Sequence, residues 1–331
     1  MFIGMDGLAA TLGSQECWSD TEAVEKSILV KCMQSYDGDH EDIFTAMDKL
    51  AMTYGRQERW ANAELLETEI LQARMLSHGP FNGDTVIAME NLAATYVSQE
   101  RWSDAESMQK RVVEALVKLD EDGHEHLITA MESLATTYVG QAKWAEAEAQ
   151  ETEILKARMR LFGAANEGTI TAMENLAATC YVRKRWPEEE ALKEKIIDAR
   201  EDWQGEEHPD TVHAVKSLAL VYWNRICWDK AEPLFARVLH TTMRVLSEQH
   251  PEVLSAKANL AAVYCNQGRW DEAARLERQV MEVKSIALGE EHASTLIAMA
   301  NLASTYRKLG RERESEELWI RIKQCKSCSY R

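Results

Sequence analysis

Apolar residues return along this chain with a short helical period nested inside a long one. In one stretch they fall at Val86, Met89, Leu92, Ala93 and Tyr96, the spacing of a single helix face. The leucine of this stripe stands at Leu8, Leu50, Leu92, Leu134, Leu176, Leu218, Leu260 and Leu302, always 42 residues apart and always followed by alanine. From Ala46 to Ala298 another alanine precedes each leucine by four residues. Small residues at fixed points of a helix face let a neighbouring helix approach closely. The pattern predicts one helix per period, helix A.

A second helix, helix B, is predicted after the tryptophans at Trp18, Trp60, Trp102, Trp144, Trp186, Trp228 and Trp270, which keep the same register without insertion or deletion. Its apolar stripe reads Ala105, Met108, Val112 and Ala115. Ser103 with Glu106, and Ser19 with Glu22, have the spacing of a capping box, and Pro187 suits a first helical turn. Loops such as Gly83-Asp84-Thr85 and His208-Pro209-Asp210-Thr211 lead into the next helix A, with Asp or Thr expected as its N-cap. The registered tryptophan is expected to fill the gap between neighbouring helix pairs.

One such pair cannot bury both stripes, whereas a stack can. The expectation is one solenoid of about eight pairs over residues 1–331, with no second domain. Residues 1–25 form an irregular first repeat and residues 312–331 a capping helix and tail. Gly4, Gly7 and Leu12 break the pattern of the first unit. Glycine inside a helix costs about 1 kcal/mol, so this end should be interrupted and frayed. Phe2, Ile3, Met5 and Leu8 make it apolar, which raises self-association through the first repeat, or an origin in a longer parent. Glu312 replaces the tryptophan of the last unit, and the charged RERESEELWIRIKQCK that contains it reads as a polar cap.

The L-A-x-x-Y of helix A and the Ala-Glu of helix B (Ala105-Glu106, Ala231-Glu232) resemble the tetratricopeptide repeat. The 42-residue unit, with its HPDT loop and N-L-A-x-x-Y, is similar to the kinesin light chain and nephrocystin-type subclass. The resemblance implies an all-α, right-handed α-solenoid of antiparallel helix pairs whose concave wall is helix A, lined beside the buried leucine. Two before that leucine stand Asp6, Asp48, Glu90, Glu132, Glu174, Lys216, Ala258 and Ala300. One before it stand Gly7, Lys49, Asn91, Ser133, Asn175, Ser217, Asn259 and Asn301. A row of carboxylates would draw a basic segment, and asparagine amides would bond a peptide backbone. The acids could equally be a solvated face. His213, Trp223 and Asn224 make the later repeats more aromatic and less acidic, and Trp203 and Trp223 lie outside the register. The expected binding face is therefore Asp48, Glu90, Asn91, Glu132, Ser133, Glu174, Asn175, His213, Lys216, Trp223, Asn224, Asn259 and Asn301. The carboxylate clamp of some tetratricopeptide proteins is not matched: its lysine slot holds Glu90, Glu132 and Glu174, and its asparagine slot Ala94, Thr136 and Ala178.

Charge and chemistry narrow the picture. With 38 basic and 55 acidic residues the chain carries a formal charge of −17, unsuited to nucleic acid or an anionic membrane surface. No apolar run is long enough for a span, and the start has Asp6 and no basic segment of a signal peptide. Seven cysteines out of register fit free thiols and a cytoplasmic location. No phosphate-binding loop, nucleophile elbow or zinc-protease motif occurs. Cys325-Lys326-Ser327-Cys328 lacks a second ligand pair, His124-Glu125-His126 falls in the loop register, and Cys180 sits in a tyrosine slot. No cofactor or metal is expected. A non-enzymatic scaffold binding a protein or peptide segment is the leading expectation. An enzyme or small-molecule binder using the groove, and a self-associating array, are the alternatives.

Overall fold

The computed structural model describes residues 3–36, 40–119 and 124–328, and among these it contains sixteen helices and no strand. Phe2 and the side chains of Asp6, His124, Lys326 and Cys328 lie outside the described residues. The chain divides into two compact units, Met1–Leu161 and Phe162–Arg331. The first holds α1 (Ile3–Ser14), α2 (Trp18–Ser35), α3 (Glu41–Arg56), α4 (Trp60–His78), α5 (Gly83–Ser98), α6 (Trp102–Lys118), α7 (His124–Gly140) and nearly all of α8 (Trp144–Phe162). The second holds α9 (Glu167–Val182), α10 (Trp186–Gln204), α11 (Pro209–Asn224), α12 (Trp228–Val245), α13 (Pro251–Asn266), α14 (Trp270–Leu288), α15 (Ala293–Lys308) and α16 (Glu312–Cys328). Odd helices are the predicted helix A and even ones helix B, each B before α16 opening on its registered tryptophan.

The core of each unit is the stripe read from the sequence. Every leucine of the register from Leu50 to Leu302 is buried, as are both neighbouring alanine positions. A buried leucine contributes about 1.5–3 kcal/mol by leaving water. The tryptophan does bridge repeats: a Cβ built on Gly140 of α7 would lie 2.9 Å from the Trp102 ring of α6. Cys180 is buried in a core slot.

The A–B turn is set by one residue with left-handed backbone, two before the registered tryptophan, or before Glu312 in the last turn. It is Gly268 (φ 77°) and Gly310 (φ 75°) in two turns, but Glu16, Glu58, Glu100, Ala142, Lys184 and Ile226 in the others. The reversal lets the following amide close the helix, as when Arg101 N–H donates to the Tyr96 carbonyl at 2.9 Å.

Three local expectations are corrected. Helix A is capped two or three residues earlier than Asp or Thr: the His40, His208, His250 and His292 Nδ1 atoms, and Asn82 and Asn166 side-chain oxygens, accept from first-turn amides. The Ser-x-x-Glu motifs are not capping boxes, because α2 and α6 follow Cys17 and Arg101 with no side-chain cap, and Glu22 and Glu106 bind elsewhere. Gly7 does not interrupt α1, where it faces open space. At the other end α16 buries Leu318 and Ile322 but also exposes Trp319 and Ile320, so this helix is less polar than its charges suggest. No helix among the described residues is long and apolar enough to cross a membrane.

Candidate functional site

The helix-A residue before each buried leucine points away from the core. In the first unit Asn91 and Ser133 are exposed there, and one turn further on Ala94 and Thr136. In the second, Asn175 and Asn301 are exposed and Asn259 half-buried, followed by Ala178, Ser304 and half-buried Ala262. From Asn91 onward this outward stripe is uncharged and mostly small, with Leu220 as the large member, whereas the repeat before it presents Lys49 and Met52. Its hydroxyls bond inward, Ser133 to the Thr129 carbonyl at 3.1 Å and Ser304 to Ala300 at 2.9 Å. An amide carries two donors and an acceptor, more than its own helix can use. The Asn91 amide lies near enough to the Asp48 carboxyl of the preceding helix A to favour its charged form slightly.

The acidic row beside this stripe is not open charge. Arg158 of α8 meets Glu132 at 2.7 Å and Arg200 of α10 meets Glu174 at 2.9 Å, each 26 residues after its acid. Arg74 of α4, in the same relation to Asp48, lies 3.7 Å from it and only 6 % exposed. Leu116 occupies that slot after Glu90, which instead meets His126 at 2.9 Å. Burial pushes the Asp48 carboxyl up, against the opposite pull of Arg74. After Lys216 the slot holds Thr242, and after Ala258 it holds Lys284, 3.4 Å from the Ser294 hydroxyl. These arginines were missed in the sequence, though scanning the register for opposite charge would have found them.

Lys216 and exposed His213 border a small cleft of about 90 Å³ with Val238, Thr242 and Glu252. Asn224 is exposed at the end of α11. Trp223 is not an open anchor: its ring is edge-on to Trp228 at 4.7 Å and to Phe235 at 6.5 Å. Tyr181 stands in the same slot and meets Trp186 likewise at 5.7 Å. That slot faces the repeat's own tryptophan, so its residue fills the A–B turn. Trp203 is exposed near the end of α10.

A second set of carboxylates ties each helix B to the next repeat. Glu64 accepts from Gln99 at 2.9 Å and Arg101 at 2.7 Å, and Glu232 from Gln267 at 2.9 Å and Arg269 at 2.8 Å. Glu22 binds Lys26 and Arg59, both at 2.7 Å. Glu106 binds Lys110 at 2.7 Å, Lys143 at 2.6 Å and Gln141 at 2.9 Å. The Lys26 hydrogen bond, with smaller help from Gln57 and Arg59, holds Glu22 at about 2. Lys110 and then Lys143 do the same for Glu106, also about 2. Glu67 is the reverse case. Burial pushes its carboxyl up to about 7 despite a Thr95 hydrogen bond, and its Oε2 has no partner.

Among the described residues no group of three or more His, Cys, Asp or Glu side chains is placed to hold a metal ion.

Helix pairs of fixed length, joined by conserved-register turns and tied repeat to repeat, define a helical-repeat array. A family model for the tetratricopeptide repeat matches residues 42–117, 84–160, 213–285 and 252–318, and the chain belongs to that family. No curated protein matches the sequence. Among solved structures, nearly identical TPR-like repeats assigned to kinesin light chain in Podosopora anserina are 22 % identical, covering 62 % of this chain and 97 % of theirs at a TM-score of 0.51. Apo RapI is 9 % identical, covering 86 % of this chain and 76 % of its own at 0.55. A signal transduction ATPase with a tetratricopeptide repeat sensor from Pyrococcus horikoshii is 13 % identical, covering 92 % of this chain and 44 % of its own at 0.54.

Proposed function

We propose that this protein is an interaction scaffold that binds an extended segment of a partner protein along the outward helix-A stripe of each unit. The observation that carries this reading is the run of amides and small residues: Asn91 and Ser133 in the first unit, Asn175, Asn259 and Asn301 in the second. The amides at four of these positions can bond the backbone of an extended strand, while alanine and serine beside them leave room for its side chains. The paired state of Glu90, Glu132 and Glu174 supports recognition by hydrogen bonding over attraction of a basic segment. The Pyrococcus ATPase is described as using its tetratricopeptide part as a sensor. The task read for this chain is of that kind, recognition without catalysis, within or beside a larger signalling assembly.

The test is a peptide-library screen of the parent beside two variants of unchanged helicity. One carries Asn91→Ala, Asn175→Ala, Asn259→Ala and Asn301→Ala; the other carries Glu132→Gln and Glu174→Gln. The expected result is at least roughly tenfold weaker binding in the first variant, as the loss of one or more buried hydrogen bonds implies, and little change in the second. Equal binding by parent and asparagine variant would overturn the reading. Loss confined to the glutamate variant would return the recognition to charge.

A further inference from the structure

The glutamates that tie repeats together, Glu22, Glu64, Glu106, Glu190 and Glu232, occupy one position of helix B, where Glu148 also stands. At that position α14 has Ala274. The cations that converge on the glutamate elsewhere are still there. Arg278 stands where Lys26 and Lys110 reach back one turn to Glu22 and Glu106. Arg311 stands where Arg59, Arg101 and Arg269 each place Nη1 on the glutamate of the preceding repeat.

With no carboxylate from Ala274, the two arginines keep only the contacts that their equivalents make beside a glutamate, where Arg101 meets Asp104 and Tyr96, Arg269 meets Glu272 and Tyr264, and Lys110 lies over Tyr138. Arg311 gives Nε and Nη2 to Glu314 and lies 4.4 Å over the Tyr306 ring. Arg278 donates to the Tyr306 hydroxyl at 2.6 Å. A cleft of about 470 Å³ opens between them, bordered by Asp271, Ala274, Arg275, Gln279 and the two arginines. Leu309 replaces the glutamine that assists the other ties, but Gln279 puts an amide on the cleft wall. Asp271 and Glu314 offset part of the charge, and three arginines outnumber them.

We propose that this cleft is an oxyanion site, taking a carboxylate or phosphate group of a ligand where other repeats hold their own glutamate. A guanidinium fork suits both groups. The site lies on α14 and the α15–α16 turn, so it stands independently of the helix-A reading. In effect the chain carries a natural glutamate-to-alanine exchange, and a small carboxylate should restore the missing group.

The experiment is thermal unfolding of the full chain in sodium propionate or sodium phosphate, each against sodium chloride at equal ionic strength. The parent should melt at least 2–3 °C higher with one or both anions at tens of millimolar, and Ala274→Glu, whose site is filled from within, should not respond. A rise with propionate alone defines a carboxylate site, and a rise with phosphate alone a phosphate site. Glu232→Ala, which opens the same space beside Arg269 and Gln267, should enlarge the response, and Arg311→Gln should remove it. These two variants decide the matter should Ala274→Glu not fold. No anion-specific rise in the parent, or the same rise in Ala274→Glu or Arg311→Gln, would overturn the proposal.

Discussion

Ile226 holds a left-handed backbone, φ 61°, with an exposed β-branched side chain. That conformation costs an L-residue about 1–2 kcal/mol, only partly offset by the freedom glycine has when unfolded. Ile226→Gly should therefore stabilise the protein by about 0.5–1 kcal/mol in urea unfolding, as the glycines already present in two equivalent turns suggest. Carboxylates give opposite predictions with pH. Glu67 is pushed up to about 7, and the groups facing it are Asp48, Glu64 and Thr95. Its contribution is full below the ordinary carboxylate range near 4.3 and lost as pH rises through about 7. Glu67→Gln should be the more stable form at pH 8, by roughly 1–3 kcal/mol, and should gain little near pH 4. Gln109 occupies the same slot one repeat later, so the amide fits. Glu106, held at about 2, contributes fully above that ordinary range and loses it as pH falls towards 2. Glu106→Gln should flatten that acid limb. Urea titrations at several pH values read both effects.

Helix pairs meet where the tryptophan ring lies against glycine. Gly140→Ala places a methyl group 2.9 Å from the Trp102 ring, and overpacking of this kind costs about 1–3 kcal/mol. Gly7→Ala meets nothing within 4 Å and should gain about 0.5–1 kcal/mol of helix propensity. Opposite shifts in urea midpoint would confirm that the difference is packing and not glycine itself. The helices were legible because two periods, one near 3.6 and one of 42, act on every repeat. Their starts were less so. Ser103-x-x-Glu106 has capping-box spacing, yet Glu106 is drawn to Gln141 and Lys143, a pull that no local window contains. Trp223 looked out of register for another reason: its slot varies among repeats and here fills the space beside Trp228.

Within each unit of the molecule, contacts run from each repeat to its neighbour, so disturbance should stay local. Glu64→Gln removes the charge and one of the two acceptor oxygens that Gln99 and Arg101 bind. Hydrogen exchange should rise in α4, α5 and α6 and remain unchanged in α1 and α2; a uniform rise would show that the first unit opens only as a block. The candidate face was legible as rows of residues, but not its electrostatic state. Glu132 and Glu174 read as free charge because the arginines that neutralise them stand 26 residues later on another helix. The ties between repeats have a further consequence, for the gene. If residues 78–119 were excised, Glu64 would come to face Gln141 and Lys143, again an amide and a cation at the same offsets as Gln99 and Arg101. Unequal crossing-over in whole multiples of 42 codons can therefore shorten or lengthen such a chain with a matched seam wherever the glutamate and the cation slots are both filled, and an unmatched one at Ala274 or Cys227.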